Sequence, residues 1–339
     1  MSGYLIPYLL ELFSKSITFK NQEMKALFNI ANLSVLILVF CSCKKQVDTT
    51  TAPNIYLVGR QGLFAKYWVN GQEKILNNGI TGAIANSIFV AGKDVYVTGN
   101  DGDTAKMWKN GIANNLTDGK MASEANSIFV YNNDVYVAGY ERDSITFEFK
   151  DKYWKNGIGI NTGLGSVRCI MMVDNNLYMI TGGGVWKNGI VNKLENGNPY
   201  ITLRCMTVIG NDIYVGGNSV DPATGKTLAK YWKNGQPFQV STFFGSEVQG
   251  IAVTGSTIHL LINENNEIKY WKNGAVTSIS KGGYAYSMAV YENDVYIAGN
   301  EITGGWSDRI ATYWKNGIRY DLGPGSDKIN FRSLFIANE

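Results

Sequence analysis

Seven times this chain writes the same hairpin: Trp68, Trp108, Trp154, Trp186, Trp232, Trp271 and Trp314 are each followed, one residue later, by Asn-Gly. Both central residues of a type I′ turn need a positive φ, which Asn and Gly tolerate, so each Asn-Gly predicts a tight two-residue β-hairpin. The tryptophans are spaced by 40, 46, 32, 46, 39 and 43 residues. A period in the forties with strand-like content predicts the blades of a β-propeller.

Each unit carries a second β-strand before the hairpin, of the kind Asp94-Val95-Tyr96-Val97-Thr98-Gly99, repeated near residues 55–59, 134–139, 176–181, 212–217, 257–262 and 294–299. A further strand precedes it, as in Ser87-Ile88-Phe89-Val90, and a short one follows the turn, as in residues 112–116. The reading is an all-β, seven-bladed propeller of four-stranded antiparallel blades over residues 54–339. The first unit lacks its first strand, and the chain ends on an unpaired one, residues 331–336. Pairing it beside residues 55–59 closes the ring in one shared blade and removes two open sheet edges.

Residues 26–40 are apolar, too short for a bilayer span but suited to a signal-peptide core, and they run into Cys41-Ser42-Cys43-Lys44-Lys45. Residues 24–42 therefore resemble a bacterial lipoprotein signal, with Cys43 the lipidated residue behind the small Ser42, and residues 43–53 form a Thr-rich tether. Residues 1–23 precede a better start at Met24 and read as an overlong gene start. With the Tyr-Trp-Lys-Asn-Gly hairpins, the chain resembles bacterial propeller lipoproteins, mostly of unassigned function. That resemblance implies a lipid-anchored protein of the cell envelope, on the outer membrane, and supplies no catalytic residues. WD, Kelch and Asp-box signatures are absent.

A formal net charge of +3 gives no electrostatic case for nucleic acid. His259 is the sole histidine, which argues against a His-based zinc site or a Ser-His-Asp triad. It stands where other units have the tyrosine of the second strand. No cofactor and no metal are implied, and the propeller reads as a monomer.

The two ends of the blades differ. One face carries short turns and the Asn-Gly hairpins. The other carries irregular loops near residues 140–149, 218–227 and 300–308, and variable loops on a rigid scaffold are where binding resides. Aligned first strands put Asn86, Asn126, Arg168, Arg204, Gln249, Tyr286 and Arg332 at one position, expected to ring the channel mouth on the irregular face. Three arginines among them predict a cationic floor for carboxylate, sulfate or phosphate groups. The following position is uniformly small (Ser, Cys or Gly) and makes Cys169 and Cys205 equivalent residues, expected to be free thiols. Trp306 breaks the repeat and is a candidate stacking platform.

Asp101-Gly102-Asp103 and residues 221–225 read as turns, lacking the alternating oxygens of a calcium loop. Glu141, Asp143 and Glu148 would be the acids of a polysaccharide-acting enzyme, but a solvated loop does not raise a carboxyl pKa. The expected function is a non-enzymatic binding or interaction module for glycan, anionic ligand or envelope protein. A polysaccharide hydrolase or lyase on the same face, and a structural subunit of an envelope complex, are the competing readings.

Overall fold

A computed structural model describes residues 52–164, 167–198, 200–304, 309–322 and 328–338. Cys43 and Trp306 lie outside the described residues. The described residues form seven four-stranded antiparallel sheets, each a blade of a β-propeller. In blade one, Ile329–Ala337 is the innermost strand and pairs antiparallel with Asn54–Gln61, which continues outward into Phe64–Val69 and Gln72–Ile75. Ile55 lies opposite Ile336 and Gly59 opposite Phe331, so the two ends of the domain share one blade. The innermost strands of blades two to seven are Ala83–Ala91, Ser123–Tyr131, Cys169–Val173, Ile201–Ile209, Glu247–Thr254 and Gly283–Tyr291. Each packs beside the next, and Ile329–Ala337 touches both Gly283–Tyr291 and Ala83–Ala91, which completes the ring.

The hairpin motif accounts for the outer half of every blade. All seven asparagines have positive φ, from 43° at Asn273 to 52° at Asn110, and each is followed by a positive-φ glycine. The asparagine side chain then clamps the neighbouring strand. Asn110 Oδ1 accepts the Val95 N–H at 2.8 Å, and its Nδ2 donates to Asp94 at 2.7 Å. The lysine before it completes the clasp: Lys109 pairs with Asp94 at 2.7 Å and stands 5.2 Å over the Tyr96 ring. The same set recurs in blades three, five and seven. In these four blades, residues fifteen or more apart in sequence thus repeat together because they touch.

The hairpin tryptophans are core residues. Trp68, Trp108, Trp154, Trp232 and Trp314 are 2% exposed or less. At roughly 200 Å² each and ~25 cal/mol per Å², each contributes up to about 5 kcal/mol of burial. They sit between blades: the Trp154 indole N–H donates to the Leu116 carbonyl of blade two at 3.0 Å. The small position after the ring residue is also an inter-blade device. Ser87, Ser127 and Ser287 each accept a backbone N–H from the next first strand, those of Ile128, Ile170 and Leu334, at 3.2–3.4 Å. Cys169 and Cys205 are free, and burial pushes the Cys169 thiol up to about 11.

The irregular loops are shorter than the sequence suggests because their flanking strands run on. Asp134–Arg142 and Phe149–Lys155 leave a tip of residues 143–148, and Asp212–Val220 and Thr227–Lys233 leave residues 221–226. Asp221 caps its tip by accepting the Ala223 N–H and the Thr224 hydroxyl. Asp101 holds the hydroxyl of Thr81 and the ammonium of Lys106, so it is an anchored turn.

Candidate functional site

One irregularity in the innermost strands builds the mouth of the channel. In six blades the pairing between first and second strands shifts register by one residue, and the residue left over is Arg332, Asn86, Asn126, Arg204, Gln249 or Tyr286. A β-bulge leaves one residue unpaired and re-aims its side chain. Here it turns the side chain into the channel. In blade four the first strand begins only at Cys169, and Arg168 stands immediately before it, its N–H donating to the Ile180 carbonyl. In five of the six bulged blades the second-strand residue facing the bulge is glycine, and blade six carries Ile262 there. A Cβ on Gly99 would lie 1.8 Å from the Ile84 carbonyl oxygen, and on Gly59, Gly139, Gly217 and Gly299 the clash is 2.0–2.5 Å.

All seven residues line a single cavity of about 960 Å³, which also takes in Glu124, Tyr140, Phe149, Asp151, Tyr284 and Arg309. The lining places four arginines against two carboxylates, with four aromatic rings between them. Its members come from the ends of second and third strands as well as first strands, so the cavity opens on the face of the irregular loops.

The seven equivalent positions are not equivalent in what they do. Four reach the next blade by hydrogen bond. Asn86 donates to Glu124 at 2.8 Å and to the Ala125 carbonyl at 3.1 Å, and Asn126 donates to the Val167 carbonyl. Arg204 Nε donates to Glu247 at 3.0 Å, and Gln249 donates to Glu247 and to the Tyr284 hydroxyl. A fifth link is a stacking contact, with the Arg332 guanidinium 5.7 Å over the Tyr286 ring. Arg168 alone of the seven makes no side-chain hydrogen bond, ion pair or ring contact among the described residues, and it is exposed in the cavity. The three arginines expected to form a cationic floor all line the cavity, but their surroundings differ. Arg204 is committed to Glu247, and the open positive charge lies at Arg168 and Arg332.

Glu124, Glu247 and Tyr284 are the polar partners that alignment at one position did not single out. Each stands two residues before a ring residue in its own strand, so the same alignment read two positions earlier contains them. Tyr140 donates to Glu124 at 2.8 Å, and burial together with that carboxylate pushes its hydroxyl up to about 12. Tyr284 donates to Glu247, and burial holds its phenol well above the usual range. Both phenols keep their protons at neutral pH.

Glu141 and Asp143, the candidate acids of the loop, are held by Lys152 and Lys150. Hydrogen bonding from Lys150 and from the Thr146 and Ile145 amides keeps the Asp143 carboxyl below the ordinary carboxylate range, the opposite of what a general acid needs. His259 is buried between Thr254 and Tyr270, away from the cavity lining.

No family profile and no curated protein matches the sequence. Among solved structures, the chain is similar to Pyrococcus horikoshii acylaminoacyl peptidase in its uncomplexed form, with 14% identity and a TM-score of 0.51 over 81% of this chain and 53% of that one. It is similar to an acylaminoacyl peptidase in complex with Z-Gly-Gly-Phe-chloromethyl ketone at 13% identity and a TM-score of 0.50, over 81% and 51% of the two chains. The chain thus spans about half the length of these proteins. The likeness is one of propeller fold.

Proposed function

We propose that this propeller is a binding module that takes a glycan or anionic ligand in the mouth of its channel, displayed from a bacterial envelope membrane by a lipid on Cys43. One observation carries the reading: seven side chains from seven blades, most lifted by a bulge that costs ladder pairing, converge on one polar cavity. A channel needed only for closure gains nothing from leaving guanidinium groups open to solvent. Ligand sites are concave, few per protein, and fixed by a small number of convergent polar groups among aromatic walls, and this mouth has that make-up. The lipid anchor rests on the resemblance of residues 24–43 to a lipoprotein signal and suits a module that presents one face outward.

The reading is tested on the full chain by glycan-array and small-anion binding, with Tyr286→Ala as the mouth variant. Binding that Tyr286→Ala weakens tenfold or more supports it, and absence of binding to either panel sinks it. The anchor is tested by Cys43→Ala, expected to shift the protein from the membrane to the soluble fraction and to remove the acyl mass. Unchanged fractionation and mass would refute it.

A further inference from the structure

Beside Arg168, the hairpin of blade three displays aromatic side chains in a way its fold does not need. Phe149 opens the third strand, lines the cavity and is 60% exposed, its ring edge-on to Tyr140 at 5.1 Å. Phe147, at the tip, is 56% exposed and has φ of 58°. A bulky residue in the left-handed region is a true outlier and costs on the order of 1–3 kcal/mol. The surrounding groups hold it there. Asp143 accepts the Ile145 and Thr146 N–H groups, its own carbonyl accepts the Phe147 N–H at 3.0 Å, and Arg142 Nε donates to the Phe147 carbonyl at 2.9 Å. The Arg142 guanidinium also stands 5.4 Å over the Phe147 ring and 5.8 Å over Phe149. A strained, solvent-facing ring kept in place by its own backbone cage is a pre-organised contact.

These rings lead toward Arg168, the ring residue whose side chain has no hydrogen bond, ion pair or ring contact among the described residues. Arg168 and Val167 line the same cavity as Tyr140, Phe149 and Asp151, which come from the adjoining blade. A guanidinium is a planar, always-charged fork that matches a carboxylate. An aromatic face matches the apolar C–H face of a pyranose, whose hydroxyls point outward to polar groups such as Asn126 and Glu124. Resting on the reading of the mouth as a ligand site, we propose that this sector is a subsite for an acidic oligosaccharide. A uronic-acid carboxylate meets Arg168, its ring or the next lies on Phe149, and the chain leaves the mouth across Phe147. An acidic peptide fits less well, since its carboxylates match Arg168 but it offers no flat C–H face to lie on Phe149.

The test is calorimetric titration of the full chain with oligogalacturonate and oligomannuronate hexamers, a heparin-derived hexasaccharide, and neutral cellohexaose. The uronate chains are expected to bind at least tenfold more tightly than cellohexaose. Arg168→Gln should erase that preference, and Phe149→Ala should weaken both classes. Phe147→Gly separates binding from folding: glycine accepts the positive φ, so thermal stability should hold or rise while uronate affinity falls several-fold. Three results overturn the subsite. They are tighter binding of the heparin fragment than of either uronate, equal binding of neutral and acidic chains unaffected by Arg168→Gln, and unchanged affinity in both Phe variants. If any of these occurs while Tyr286→Ala still weakens the bound glycan, the mouth reading survives the loss of this subsite. If no oligosaccharide or anion binds, both fall.

Discussion

Arg168 and Arg204 occupy the same position in neighbouring blades, and only their surroundings distinguish them. The Arg204 guanidinium is 30% exposed and its partner Glu247 is 12% exposed, so removing it strands a partly buried carboxylate beside the Tyr284 phenol. Breaking a fully buried pair costs about 3–5 kcal/mol, and partial exposure here brings the expected cost of Arg204→Ala to about 1–2 kcal/mol. Arg168→Ala should stay within ~0.5 kcal/mol of the parent, as surface changes do. Urea denaturation of the two variants checks this, and equal losses would contradict the division between structural and open cations. His259 offers a second residue-scale prediction. Burial, with Lys272 nearby, lowers its pKa below the ordinary 6.5. The unfolded chain then binds the proton more readily, so this stability is complete above pH 6.5 and is lost as pH falls through and below that value. Because the chain has one histidine, the slope between pH 7 and 5, at most ~1.4 kcal/mol per pH unit, belongs chiefly to it. His259→Tyr, the residue of the other blades, should flatten thermal stability over that range. An unchanged slope would place the titration elsewhere.

Strands and hairpins were the most legible part of the sequence, because period-two patterning and Asn-Gly turns are local and repeat in every copy. The ring was legible as an alignment column, though not for the reason that makes it a ring. A bulge is a change of register between two strands, and its trace in the sequence is a glycine in the second strand of five of the six bulged blades. The pairing of Arg204 with Glu247, 43 residues away, depends on how adjacent blades meet. The strain at Phe147 depends on a backbone cage no residue type announces. At this scale the bulge makes a direct prediction. Gly99→Ala would drive a Cβ to 1.8 Å from a carbonyl oxygen, so either the bulge flattens or the strands part, and about 2–4 kcal/mol should be lost. Gly183→Ala, with nothing within 4 Å of its added Cβ, is the control and should be within ~0.5 kcal/mol of the parent. Chemical denaturation gives both values, and a mild Gly99→Ala would mean that the close approach of the Ile84 carbonyl does not impose this glycine.

The whole ring depends on a contact between its ends. Blade one takes its innermost strand from Ile329–Ala337 and its other three from the start of the domain, with eight paired positions between them. Phe331 is fully buried and stands edge-on to Trp68 at 5.5 Å, while Phe335 packs on Phe89 of blade two at 4.9 Å. Removing residues 329–339 would therefore do more than delete a strand. It would strip Asn54–Gln61 of its inner partner, expose an unpaired edge, and leave both neighbouring blades without the wall they pack against. Open edges recruit other chains. The expected outcome is loss of the sharp monomeric unfolding transition and a shift to oligomer or aggregate, measured by light scattering after size-exclusion chromatography. A synthetic peptide of residues 327–339 added during refolding should restore monomer, because the edge it fills is specific in register. A truncated chain that stayed monomeric with an unchanged melting temperature would show that the other six blades hold the ring alone. The mouth gives a second readout of the same event: Arg332 leaves with the strand, and Tyr286 loses the cation over its ring. Closure and site are thus one structural commitment, since the strand that seals the propeller also supplies one of its two open arginines.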